Sequence, residues 1–491
     1  MQRNLFIAVI AALFLVQTYL RFRSDAFPDV AWFIYVANQL LHGKTLYVDM
    51  MEVNPPLGVW LVVPSVWIAE KLQIDEANAV YATVIAMSAV TVWFCSRILH
   101  SFDTISIQAR RLITVAVAVA ILFFPGAFFA EREHYMPLLF LPWLFLRIVP
   151  NASMRQSSAE RIFVGLLAGA AVCIKPHSVL APILVELTLY LRHRDLRSFV
   201  AVENLGAALF VIFYGLTVWL FTPKFMTEMI QLGSKAYVPF YGNGIFETLV
   251  GIILTVPAFV MAIVIRYRLA LLKADTQFVD GMLAAVLGFI LSYFVQMKGF
   301  GYQILPADIL ASIASVSAAV ILWQFEKKVS ATVIFAVCLS TLLLVLLPQN
   351  IPRTFETWDG IIDRNAPQAK SLFIASTKLS DGFPYVQRRN LVWASSLPAQ
   401  WLMPYVDSKW KAGPIPQDAI VQRALDLAVT DLITFKPDIV MIDTADQIYV
   451  KSGKFEYIKF WQNDKRFSAV WNSYKFRETV SGMEVYILQT P

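Results

Sequence analysis

Carboxylates gather in a short stretch just behind the first apolar run of the chain. The order is Asp29-Val-Ala-Trp-Phe-Ile-Tyr35, then His42-Gly-Lys-Thr-Leu-Tyr47-Val-Asp49, then Glu52-Val-Asn54-Pro55-Pro56. A carboxylate at a membrane surface is costly unless it is paired or at work, so Asp29, Asp49 and Glu52 are candidates for proton transfer or substrate binding. N-capping by Asp29 and a routine loop account for the same residues about as well. A second cluster, Phe128-Phe-Ala-Glu131-Arg132-Glu133-His134-Tyr135, sets four consecutive ionisable groups at the end of an apolar run. Groups at that depth line a polar cavity or form a salt-bridged belt. Lys175-Pro-His177 interrupts a long apolar stretch; its ammonium suits a phosphate as a compact point charge, or snorkels to the interface. Lys298-Gly-Phe-Gly-Tyr302-Gln303 joins a cation, two glycines and a hydrogen-bonding aromatic–amide pair. That set fits a phosphate or a sugar ring, although turn chemistry explains it equally.

These residues must be positioned by membrane elements. Of 491 residues 58% are hydrophobic and only 15% charged, and the mean hydropathy is +0.59, well above a soluble domain. Aromatics make up 14%, with 36 Phe and 13 Trp, as lipid-facing surfaces and interfacial belts require. The net charge of +6 lies in short clusters between apolar runs, which reads as topology and excludes a nucleic-acid partner. Cys95, Cys173 and Cys338 all fall within apolar stretches, so neither a disulfide framework nor a metal knuckle is available.

A membrane span needs about 20 apolar residues. The stretches 4–20, 78–97, 112–130, 136–149, 198–221, 246–265, 279–297, 304–323 and 330–348 qualify. The first has only Arg3 ahead of its apolar core and no small-residue cleavage site, as in a retained anchor. The run 57–70 reads as a juxtamembrane or re-entrant helix, and 162–191 as a hairpin broken at Lys175-Pro176. Clusters such as Arg147, Arg155 and Arg161, or Lys327 and Lys328, are expected on the cytoplasmic side. The loops 130–135, 222–245 and 298–303 then face outward with the Asp29 loop. Trp32, Phe33, Val36, Ala37 and Leu40 recur at helical spacing, which predicts an interfacial helix starting near Asp29.

The Asp29 loop, with Asp, Tyr six residues on, Gly, Tyr-x-Asp and acid-x-x-Pro-Pro-Leu, resembles the first external loop of GT-C glycosyltransferases. It is most similar to the protein O-mannosyltransferase and lipid A aminoarabinose transferase branch (glycosyltransferase family 39 and relatives). Where that family often carries Asp-Glu, Val30 follows Asp29 here. The resemblance covers about 350 residues. It implies an integral membrane enzyme that passes a sugar from a polyprenyl-phosphate donor to an acceptor outside the cytoplasm, in a bacterial-type inner or plasma membrane. It implies Asp29 as the catalytic base. Asp49, Glu52, Glu131, Arg132, Glu133, His134, Lys175, His177, Lys298, Tyr302 and Gln303 would bind substrate, with Arg132, Lys175 and Lys298 on the carrier phosphate. Related enzymes use divalent cations, but Glu133-His134 is not a ligand set by itself. A cation therefore stays open and no other cofactor is expected.

Beyond Pro348 the character changes. Residues 351–491 hold 32 of the 76 Asp, Glu, Lys and Arg residues, and apolar runs shorten to strand length at 371–374, 439–442 and 485–488. The expected architecture is mainly α, a polytopic helical bundle of roughly eleven to thirteen spans at 1–349. A small soluble extracytoplasmic α/β domain follows at 350–491, suited to covering the site or binding the acceptor. The expected reaction is inverting sugar transfer to a hydroxyl of a lipid, polysaccharide or protein. The alternative is a transporter or lipid-linked sugar flippase, which also carries charges within spans but predicts inverted repeats.

Overall fold

Apolar runs become helices here wherever a cap or a proline defines their ends. The computed structural model describes residues 1–242, 244–326, 356–445, 447 and 449–489. The stretch 330–348, Cys338, Lys327 and Lys328 lie outside the described residues. In order, the first helices are α1 (Arg3–Arg21), α2 (Pro28–Leu41), α3 (Leu57–Trp60), α4 (Val63–Leu72), α5 (Glu76–Leu99), α6 (Ile107–Phe123), α7 (Arg132–Ile148) and α8 (Ala152–Arg155). Next come α9 (Ser158–Ile174), α10 (Leu180–His193), α11 (Val202–Phe221), α12 (Ile230–Leu232), α13 (Gly244–Gly251), α14 (Thr255–Leu271), α15 (Gln277–Gln296) and α16 (Gly301–Leu322). Asp75 caps α5 through the Asn78 amide, and Ser157 with Glu160 forms a capping box on α9, which satisfies amides that otherwise have no partner.

The chain divides into two units. The first comprises Met1–Ser24, Ile68–Thr217 and Gly242–Ile351. In it α10 packs on α15, α7 on α9, and α16 against α6, α14 and α15. The most hydropathic stretch of α16 is 89% buried in protein, against 6% for α1 and 11% for α11. So α16 is a core helix of the bundle, while α1 and α11 leave most of their apolar surface uncovered by protein. Five described helices are long and apolar enough to cross a membrane, six if the bent pair α13–α14 counts as one; the chain is an integral membrane protein. The sequence count of eleven to thirteen also took in shorter helices, such as the 17-residue α6, α7 and α9.

Two boundaries differ from expectation. The span placed at 112–130 ends at Phe123, because Pro125 and Gly126 (φ +51°) turn the chain out of the helix. Residues 132–135, expected in a loop, form the first turn of α7, because Glu131 caps that helix by accepting from the Arg132 amide. Arg147 and Arg161, read as orienting charges, are ion-paired. Arg147 holds Glu186 and Glu203 at 2.6 Å each, and Arg161 holds Glu203 at 2.7 Å.

Small residues let the helices approach closely, as membrane bundles require. A Cβ built on Gly288 of α15 would stand 2.3 Å from the Ala181 Cα of α10. Gly288→Val is therefore expected to pry α15 from α10 at a cost on the order of 1–3 kcal/mol. A lowered unfolding midpoint in detergent checks this, and an unchanged midpoint contradicts it.

The second unit comprises Asp25–Trp67, Val218–Tyr241 and Pro352–Pro491. The Asp29 loop and the 222–241 stretch thus fold with the C-terminal part of the chain. Around α12 the chain makes two π-helical turns, Phe225–Met229 and Gly233–Tyr237. The C-terminal elements are α17 (Glu356–Asn365), β1 (Ser371–Ala375), α18 (Tyr385–Arg388), β2 (Val392–Trp393), α19 (Met403–Lys409) and α20 (Ala419–Phe435). They continue with β3 (Ile439–Asp443), α21 (Tyr457–Trp461), α22 (Lys465–Trp471), β4 (Tyr474–Val480) and β5 (Met483–Leu488). The sheet order is β2-β1-β3-β5-β4. The β1 pairings with β2 and β3 are parallel, and those of β5 with β3 and β4 antiparallel. All five residues of β3 are buried, as for a central strand covered on both faces.

Asp431 of α20 is buried in this unit and accepts from Ser395 Oγ (3.1 Å), Ser396 Oγ (3.0 Å) and the Ser396 amide (2.8 Å). Burial pushes its carboxyl up to about 6, against the pull of those hydrogen bonds. The folded chain therefore holds this proton more tightly than the unfolded chain. The stability it contributes is full below the ordinary carboxylate range near pH 4 and is lost as pH rises through about 6. Asp431→Asn is expected to flatten the fall of the unfolding midpoint across that window. Equal slopes in variant and wild type contradict this.

Candidate active site

In the first unit, α7, the α9–α10 break and the start of α16 bring several of the sequence candidates together. Pro176 disfavours helix at the residue before it, so α9 ends at Ile174, and a 3-10 turn, Pro176–Val179, leads into α10. Lys175, left between them and buried, donates to Glu133 Oε1 and to Gln296 Oε1 (3.0 Å), and its ammonium lies 5.7 Å from the Tyr302 ring centroid. Glu133 is only 1% exposed, which is tolerable for a carboxylate because Lys175 balances it. Tyr302 stacks on Phe300 at 5.7 Å and meets the edge of Phe128 at 5.9 Å. A cation, an amide and an aromatic cluster therefore converge at the ends of α9, α15 and α16.

Glu131 and Arg132 form a buried pair at 3.6 Å. His134 is fully buried, and both its ring nitrogens are engaged. Nδ1 accepts from the Ala130 amide at 3.2 Å, and Nε2 lies 2.8 Å from the Ile121 carbonyl and so carries the proton. That removes His134 from substrate or metal contact and makes it a brace for the turn ahead of α7. His177 lies half-buried in the 3-10 turn, and its Nε2 has no hydrogen-bond partner among the described residues. Gln303 is buried in the first turn of α16, its Oε1 likewise without a partner among the described residues. Lys298 is half-buried in the segment before α16 and close enough for its charge to act on His177.

In the second unit, α2 starts at Pro28, and Asp29 sits half-buried in its first turn. The other two acids of this loop are bound into it. Asp49 accepts from the Thr45 amide at 2.7 Å. Glu52 accepts from Trp32 Nε1 (2.6 Å), the Asn54 amide (2.7 Å) and Asn54 Nδ2 (2.5 Å). These bonds fold the loop back on α2. Asp49 and Glu52 thus fix the loop.

Two neighbours of these residues escaped the sequence reading. Gln296 is an uncharged amide in an apolar run, which carries no signal. Arg21, at the end of α1, lies 4.8 Å from the Phe129 ring centroid. Among the described residues no three His, Cys, Asp or Glu side chains are grouped to hold a metal ion, so no metal ligand is assigned.

No protein-family model and no curated protein matches the sequence. Solved structures do match. ArnT from Cupriavidus metallidurans bound to undecaprenyl phosphate aligns over 99% of this chain and 99% of its own, with a TM-score of 0.59 at 12% identity. The Archaeoglobus fulgidus oligosaccharyltransferase in its apo form aligns over 100% of this chain and 75% of its own, with a TM-score of 0.52 at 10% identity. The mycobacterial arabinofuranosyltransferase AftD aligns over 100% of this chain and 40% of its own, with a TM-score of 0.51 at 12% identity. All three are glycosyltransferases of one architecture, and this chain is an integral membrane protein with that same GT-C fold.

Proposed function

We propose that the chain transfers a sugar from a polyprenyl-phosphate donor to a hydroxyl acceptor on the extracytoplasmic side of the membrane, with inversion at the anomeric carbon. The observation that carries this reading is the likeness, over 99% of both chains, to a structure with undecaprenyl phosphate bound. The acceptor oxygen attacks the anomeric carbon, its proton passes to Asp29, and the bond from that carbon to the phosphate oxygen breaks. The phosphate leaves as an anion, so it needs compensating charge more than a proton. Lys175, Arg132 and Lys298 supply that charge. The Glu133 pairing keeps the Lys175 ammonium in place before the donor arrives, with the Tyr302 ring beside it.

Proteoliposomes separate this reading from translocation. With a labelled polyprenyl-phosphate sugar and crude envelope acceptor, the protein is expected to move label into the acceptor and release polyprenyl phosphate. Passage of the intact labelled lipid to the other leaflet, with no release, contradicts transfer.

A further inference from the structure

Tyrosines cluster in the second unit in a way the transfer reading does not use. Tyr449, in the segment after β3, packs its ring at 4.3 Å from Tyr241. Tyr241 stacks on Tyr237 at 4.5 Å and 19°, and Tyr237 meets the edge of Trp401 at 5.9 Å. The array joins the 222–241 stretch to the C-terminal domain. Asp29 belongs to the same unit, and its charge reaches Tyr449: burial first, and that carboxylate second, push the phenol up. The Tyr241 hydroxyl is buried with no hydrogen-bond partner among the described residues, and the residue is only 5% exposed. A buried hydroxyl left unsatisfied is costly and calls for a partner. Tyr449 itself is half-buried.

A sugar ring meets all of these demands. Its C–H faces pack on aromatic rings and its hydroxyls satisfy phenols, whereas an extended peptide hydroxyl needs no ring stack. We propose that Tyr449, with Tyr241 and Tyr237 behind it, is the platform on which a carbohydrate acceptor rests beside Asp29. The acceptor is then a glycan or a glycolipid headgroup and not a protein. This inference rests on the transferase reading, and it makes Tyr449 a specificity-determining residue contributed by the C-terminal domain.

The test uses the full chain in detergent, a labelled polyprenyl-phosphate sugar, and two acceptors: the envelope carbohydrate fraction and a synthetic Ser/Thr-rich peptide. Label is expected in the carbohydrate only. Tyr449→Ala is expected to raise the half-saturating acceptor concentration about tenfold, as loss of one aromatic contact implies. Undecaprenyl phosphate binding and the rate at saturating acceptor should change by no more than about threefold. Tyr449→Phe, which keeps the ring, should return saturation to near wild type. If Tyr449→Ala loses undecaprenyl phosphate binding through misfolding, Tyr449→Leu takes its place with the same expectation. Label in the peptide, or wild-type saturation in the Ala or Leu variant, overturns the platform and leaves the transferase reading standing. A wild-type protein that binds undecaprenyl phosphate but transfers to neither acceptor overturns both.

Discussion

Asp29→Asn is expected to lower sugar transfer by roughly 10²–10⁴-fold, the usual contribution of a general base, while the protein stays folded. Asn keeps the size and polarity of the side chain but cannot take the acceptor proton. Asp29 lies in the first turn of α2 behind Pro28 and is not its cap residue, which is Phe27, so the lesion falls on chemistry. Neither neighbouring acid can replace it without undoing the loop, because Asp49 holds the Thr45 amide and Glu52 holds Trp32 and Asn54. Steady-state transfer rates for the variant check this. More than a tenth of wild-type activity removes Asp29 from the base role.

Lys175→Met carries a double penalty. It removes a cation assigned to the leaving phosphate, and it strands Glu133, which is 1% exposed. Breaking a buried ion pair by deleting one partner costs about 3–5 kcal/mol, so the unfolding midpoint in detergent should fall sharply along with transfer. Glu133→Gln added to Lys175→Met removes the stranded charge. The double variant is expected to regain most of the stability, because neutral replacement of a buried pair is often close to neutral, but none of the transfer. Wild-type transfer in the double variant removes Lys175 from phosphate binding. A single variant as stable as wild type contradicts the pairing.

Local patterns made much of this fold legible. The apolar spacing from Trp32 to Leu40 gave α2, and a thirty-residue apolar run with Pro176 at its centre implied the break between α9 and α10. The short apolar runs near 371, 439 and 485 correspond to β1, β3 and β5. β4 was hidden because its sequence, Tyr-Lys-Phe-Arg-Glu-Thr-Val, is that of a sheet edge with exposed charges, and β2 is only two residues long. The start of α7 was missed because a run of ionisable residues ahead of Pro137 looks like a loop until Glu131 is seen capping it.

The site was legible only in its residue types. Charge in an apolar chain pointed to Glu133 and Lys175, but their pairing joins α7 to the end of α9, and no sequence spacing encodes it. Gln296 is neutral, so only packing brings it to Lys175. His134 misled because its ring nitrogens are committed to backbone groups, and backbone partners leave no trace in the sequence. Tyr449 and Tyr241 lie more than 200 residues apart, and in each sequence context they look like ordinary aromatic residues.

The central claim is tested most directly by the stoichiometry of the reaction. Purified protein is given a doubly labelled donor, with one label on the sugar and another on the polyprenyl phosphate, together with envelope acceptor. One mole of polyprenyl phosphate should be freed for each mole of sugar that appears in acceptor with inverted anomeric configuration, and Asp29→Asn should suppress both together. Polyprenyl phosphate that stays joined to its sugar, or sugar transferred with retained configuration, contradicts the account.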